Sequence, residues 1–148
     1  MIGFQTRLRV VIAALFGALL FGLPALPQEA AEPDAGLWQD VITGQIEAFR
    51  AGDSAAALVF AGSGFKAAYP NPARFVRDIV RGGYGPIVDS LSHNFGEYQL
   101  VEEGLVLQLV RLVGPDQALY EALYQLGAEE EGWRVWSVAL RKSGGVAI

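Results

Sequence analysis

Three apolar-rich runs, Leu105–Leu112, Ala118–Leu126 and Trp133–Leu140, follow one another in the last third of the chain, separated by Gly114-Pro115-Asp116-Gln117 and by Gly127–Gly132. Short apolar runs punctuated by turn residues read as hairpin-linked strands, here a three-stranded antiparallel meander. Tyr120, Ala122 and Tyr124 alternate with Leu119, Glu121 and Leu123, so each strand has two distinct faces. In the first run both faces are apolar: Leu105, Leu107 and Leu109 on one, Val106, Val110 and Leu112 on the other. Neither face can lie wholly in water. Helices from the earlier chain are expected to cover one face, and a partner subunit or a curled sheet edge the other.

The N-terminus has to be set apart first. Arg7 and Arg9 precede an uncharged apolar run, Val10 to Leu23, which leads into Pro24-Ala25-Leu26-Pro27. That is the layout of a secretory signal peptide. The run of about 14 residues is shorter than the roughly 20 that cross a bilayer, so stable membrane insertion after cleavage is not expected. Cleavage is expected after Ala25, with Ala30 and Ala31 as alternatives. The resulting organisation is a signal peptide over 1–25, a flexible linker over 26–33, a single α+β domain over 34–142 and a tail over 143–148. The protein is expected to be exported, periplasmic or secreted.

The sequence contains no cysteine. Disulfides, thiol catalysis, thiolate metal sites and lipid attachment at a cysteine are therefore excluded, and the exported domain must be stable through its core alone. Removing Arg7 and Arg9 takes the formal net charge from −5 to about −7. An acidic domain argues against nucleic acid or an anionic membrane as a general partner.

Asp34 can cap a helix whose apolar positions Leu37, Trp38, Val41, Ile42, Ile46 and Phe49 recur at three and four residues. Gly52 ends it, and Asp53 caps a shorter second helix through Leu58 and Val59. Gly62-Ser63-Gly64 breaks that helix as a helix-ending loop, and Tyr69-Pro70 makes an extended loop. Asn71-Pro72 then starts a third helix running to about Arg81, stopped by the turn Gly82-Gly83-Tyr84-Gly85-Pro86. Ile87–Ser92 and Phe95–Val101 read as two further strands, with Ser92-His93-Asn94 between them as a turn.

Three helices followed by a curved antiparallel sheet ending in Gly132-Trp133-Arg134-Val135 resemble the cone-shaped, cystatin-like roll of nuclear transport factor 2, ketosteroid isomerase and the polyketide cyclases. More narrowly, the sequence resembles an exported bacterial family known only as a domain of unknown function. The residues that carry this are Val41-Ile42, Gln45-Ile46, Ala48-Phe49, Gly52-Asp53, Ala55-Ala56, Phe75, Val80, Gly83-Tyr84, Pro86, Gln108, Val110 and Gly132-Trp133-Arg134-Val135. The chain departs from that pattern in the glycine-rich stretch Phe60–Tyr69 and at Ser137-Val138. The resemblance implies an apolar pocket between helices and sheet, often with pairing into dimers through the sheet.

Enzymes of that fold class place a carboxylate and polar donors in the pocket for proton transfer. The acids available are Asp89, Glu97 and Glu121, with Tyr98, Tyr120 or Tyr124 as donors; His93 is the only histidine. Acids on alternating strands are more often solvated, and a turn histidine is more often exposed. Glu129-Glu130-Glu131 lacks the ligand spacing of a calcium loop, so no metal is expected. Ser63 lacks the surroundings of a nucleophile. Gly82, Gly83 and Gly85 follow a helix and so sit at the end of its dipole that repels anions. Arg74, Arg77 and Arg81 share one helical face, near Lys66, and could meet an acidic partner, although Asp78 can neutralise part of it.

The leading expectation is a non-enzymatic, cofactor-free domain that binds a small apolar ligand or an envelope protein, with Phe49, Phe75, Tyr84, Gln108 and Trp133 at the pocket or its mouth. The alternatives are an acid–base isomerase or cyclase using Asp89 or Glu121 with His93 or a tyrosine, and a purely structural homodimer.

Overall fold

The computed structural model describes residues 31–144, of which those from Asp34 onward belong to one compact unit. The signal-peptide and most of the linker assignment, and the end of the tail, lie outside the described residues.

The first helix, α1 (Gly36–Arg50), buries Trp38, Ile42, Gln45, Ile46, Ala48 and Phe49 along one stripe. Asp34 accepts from the Gly36 amide at 2.9 Å, one position earlier than a capping side chain would sit. Gly52 turns the chain with φ +69°, and Asp53 caps α2 (Ser54–Val59) by accepting from Ala56 N at 3.0 Å. Asn71 caps α4 (Pro72–Ile79) by accepting from Ala73 N at 3.0 Å, with Pro72 preset for the first helical position.

Two expectations are corrected in this half. Gly62-Ser63-Gly64 is no helix-ending loop: Gly62 precedes α3 (Ser63–Ala68), a short helix with no buried residue of its own, and Tyr69-Pro70 beyond it is non-helical. The run from Ile87 is no strand either. Beyond α4 the chain makes a π-type turn, Val80–Tyr84, with Gly83 at φ +96°, and then one helical turn, α5 (Gly85–Val88), which buries Ile87 and Val88. A short apolar run is ambiguous between a strand and a buried helical turn, and Pro86 at the start favours the turn. There are thus five α-helices among the described residues where three were expected.

The sheet is a four-stranded antiparallel meander in the order β1 (Ser92–Glu102), β2 (Leu105–Val113), β3 (Leu119–Glu129), β4 (Gly132–Lys142). His93 is therefore on a strand and not in a turn, and Gly127 belongs to β3. One face carries Val106, Val110 and Leu112 of β2, Ala122, Tyr124 and Leu126 of β3 and Val135 of β4, all buried in the same cluster as the α1 stripe. Each large apolar side chain so buried contributes about 1.5–3 kcal/mol, which makes this helix–sheet contact the main stabilising layer. Along β4, Ala61 pairs in parallel with Val135: Gly62 N donates to Val135 O and Val135 N to Phe60 O, both at 2.9 Å.

The β3–β4 register shifts between Gln125 and Leu126, leaving Trp136 as the extra residue. Its indole covers Gly127, where an added Cβ would lie 2.0 Å from ring atoms. Nε1 donates to Glu129 at 2.9 Å, and the same carboxylate accepts from the Ser63 amide at 3.2 Å. Gly127→Ala is expected to push the indole off and break that link, at a cost of about 1–3 kcal/mol. A lowered urea midpoint with red-shifted tryptophan emission would show it.

Candidate functional site

Between α1, α4, the π-type turn and the inner face of β3 and β4 lies a cavity of about 240 Å³. Phe49 of α1, Phe75 and Ile79 of α4, Phe65 of α3 and Val135 and Val138 of β4 supply most of its wall. The aromatic side is built around Phe75, whose ring meets Phe49 at 6.4 Å, Phe65 at 5.9 Å and Tyr69 at 5.4 Å between centroids.

Few polar groups reach the lining. Gln45 is buried and donates from Nε2 to Ala57 O at 3.1 Å. Tyr84, brought round by the turn at Gly83, donates its hydroxyl to Val138 O at 2.9 Å and so ties the turn to β4. Tyr124 is fully buried, and its hydroxyl has no hydrogen-bond partner. Burial pushes that phenol far above the usual range, so the group stays neutral and protonated. A buried, unpaired hydroxyl costs about 1–3 kcal/mol and calls for a reason.

Of the residues proposed for the pocket, Phe49, Phe75 and Tyr84 come together at the cavity, while Gln108 and Trp133 lie away from its lining. Trp133 packs edge-on against Trp38 at 5.5 Å. Gln108, fully buried between α1 and the sheet, accepts at Oε1 from Trp38 Nε1 (2.9 Å) and Gln39 Nε2 (3.1 Å). Its Nε2 donates to Leu109 O and Gly96 O, both at 2.9 Å, and lies 3.3 Å from Glu97 O. Gly96 and Glu97 form the bulge where β1 loses register with β2, so this side chain satisfies carbonyls that the ladder leaves free.

The candidate acids lie elsewhere. Asp89 follows α5 at the surface, and Glu97 is exposed with Arg111 3.9 Å away. Glu121 accepts from Arg141 Nε at 2.8 Å on the sheet face opposite Tyr120, Ala122 and Tyr124. Of the other candidate donors, Tyr98 packs on Trp38 at 5.1 Å and Tyr120 donates to Asp116 at 2.8 Å. Arg74 is 3.8 Å from Asp78, and Arg77 and Arg81 are exposed on the same stretch. Among the described residues no three metal-ligating side chains converge.

His93 is half-buried on β1, between Thr43 and Arg50 of α1. A guanidinium can only donate, so Arg50 Nη2 donates to Nδ1 at 3.1 Å and the ring proton on Nε2 faces Thr43 Oγ1 at 3.1 Å. Burial, and then the Arg50 charge, hold the imidazole below its ordinary value against the opposing pull of Glu47. The folded state thus favours neutral His93, and the unfolded chain takes up the proton first. Stability from this group is complete above the ordinary histidine pKa of 6.5 and is lost as pH falls through the lower folded value. Solvent reaches the ring, so the loss should stay under about 1 kcal/mol. Urea midpoints between pH 8 and pH 5 should fall more steeply for the wild type than for His93→Gln.

Tyr124, named from the sequence only as a candidate donor for the enzyme alternative, does line the cavity. Gln45, Ile79, Phe65 and Val138 were not among the residues proposed for the pocket; Phe65 had no signal, because its helix read as a loop.

No curated protein and no solved structure matches the chain. A family model does, over residues 31–148. It spans α1 to β4 and every residue of the cavity, and the chain belongs to the family described as Domain of unknown function (DUF4864).

Proposed function

We propose that this is an exported, non-enzymatic domain that binds a small apolar ligand in the cavity between its helices and sheet. The observation that carries the reading is the aromatic-walled space of about 240 Å³. Pre-formed apolar concavities with few polar groups are the usual form of small-molecule sites. None of the cavity-lining residues is a carboxylate, so proton transfer in the manner of ketosteroid isomerase has no base there. Helices that precede and cover a four-stranded meander also support the cone-fold resemblance, and the Arg7–Pro27 pattern supports export.

Pairing through the outer sheet face belongs to the same reading, since Leu119 and Leu123 are 58% and 42% exposed there. Native mass spectrometry of the protein, purified from its own host without refolding, tests both parts. A compound retained by the wild type and lost from Val138→Trp, which fills the cavity, is the expected result. A bare polypeptide that also fails to take up added toluene would sink the ligand reading, and a monomeric mass at micromolar concentration would sink the pairing.

A further inference from the structure

We infer that the outward face of α4, continued by the first residues of the π-type turn, is a docking surface for a short acidic segment of another protein, held by Arg77 and Arg81 with Val80 beside them. The inference is independent of the cavity, which lies on the opposite side of the same helix.

Helix geometry sets the face. Phe75 is buried in the core, and Ile79 lines the cavity. At about 3.6 residues per turn Arg77 lies opposite both, and Arg81 follows about one turn later. Arg77 and Arg81 are exposed, and Val80 is 44% exposed.

Charge singles the pair out. Among the described residues Arg74, Arg111, Arg134, Arg141 and Lys142 each sit beside a carboxylate. Arg50 donates to Ser90 and His93, and the Lys66 charge acts on Glu129. Arg77 and Arg81 are left without an ion-pair partner among the described residues. Like charges four residues apart on a helix repel each other. This face is therefore short of anions in a domain that otherwise has them in surplus.

Extent selects the partner. The two arginines stand about 6 Å apart along the axis, less than the screening length of about 8 Å at physiological salt. Beyond them the net charge of the exported domain, about −7, makes itself felt. A nucleic acid, a sulfated polysaccharide or an anionic bilayer carries its charge far past the pair and is repelled there. A segment with two or three carboxylates is not. Alternate side chains of an extended peptide stand about 7 Å apart on one side, so acids at alternate positions reach both guanidiniums, and an apolar neighbour can cover Val80.

The test is a nuclear magnetic resonance titration of the isotope-labelled exported protein with the capped peptide Gly-Glu-Leu-Glu-Leu-Glu-Gly, at low salt. Shifts confined to the Arg77 and Arg81 Nε–H signals and the Val80 methyls are expected, saturating below about 1 mM. Arg77→Gln with Arg81→Gln is expected to weaken the peptide about tenfold. Arg111→Gln with Lys142→Gln removes the same charge elsewhere and is expected to change the affinity by less than about twofold. All four side chains are exposed, and circular dichroism checks that both variants stay folded. Equal weakening by the two pairs would mean that net charge alone acts, and overturns the face. Shifts scattered over the other arginines, or no saturation, overturn it as well. Tighter binding of heparin or of phosphatidylglycerol vesicles than of the peptide overturns the acidic segment in favour of an extended polyanion. Retention of a compound in the cavity is expected to be the same in both variants as in the wild type, so the two readings fail separately.

Discussion

Gln108→Leu is expected to lower the free energy of unfolding by about 3–5 kcal/mol, although leucine is similar in size and more apolar. The loss comes from what the glutamine leaves behind. The Trp38 indole N–H, fully buried, loses its acceptor, and the carbonyls of Gly96 and Leu109 lose their shared donor. Each stranded group costs about 1–3 kcal/mol. Because the Gly96 carbonyl belongs to the bulge, β1 should also loosen, and hydrogen exchange across Phe95–Tyr98 should rise before the rest of the sheet. A denaturant series gives the magnitude. Adding Trp38→Phe should cost less in the Gln108→Leu background than in the wild type, since the orphaned donor is then gone. A loss below about 1 kcal/mol would mean that the network is slack.

Phe75→Ala should cost about 3–5 kcal/mol, by deleting a ring that is 2% exposed and joins three helices. The ring already borders empty space, which places the value toward the lower end of that range. The damage should also be uneven. α3 buries no residue, and Phe65 within it and Tyr69 just beyond it both rest on Phe75. Amides of Ser63–Ala68 are therefore expected to lose protection at denaturant concentrations where the sheet is still intact. Uniform loss of protection would show instead that α3 is held by the Gly62–Val135 pairing.

The meander was legible because hairpin strands pair with their sequence neighbours and announce themselves by alternation and turn residues, as Leu105–Val113 and Leu119–Glu129 do. The α1 stripe and the caps at Asp53 and Asn71 were legible for the same local reason. What misled was context. Ile87 and Val88 are buried whether they sit in a strand or a helical turn, and Ser63–Ala68 is helical through its contacts with Phe75, which no local pattern carries. The cavity was half legible: Phe49 and Phe75 follow from the inner stripes of their helices. Gln108 was expected at the pocket or its mouth, but its amide is consumed by a bulge, and bulges leave little trace in composition. The unpaired Tyr124 hydroxyl is a property of its three-dimensional surroundings and leaves no mark in the local sequence.

The hydrogen bond from Trp38 to Gln108 joins residues 70 apart. A ribosome adds roughly 5–20 residues per second, so α1 emerges about 4–14 s ahead of the strand that anchors it. A lone helix of fifteen residues is marginal in water, and the stripe of Trp38, Ile42, Ile46 and Phe49 stays uncovered for that interval. During synthesis the N-terminal half is thus a client for whatever shields apolar chain, and the late strands close the fold over it. Nascent chains arrested before β2 emerges should leave α1 open to protease, whereas release of the finished chain should protect it.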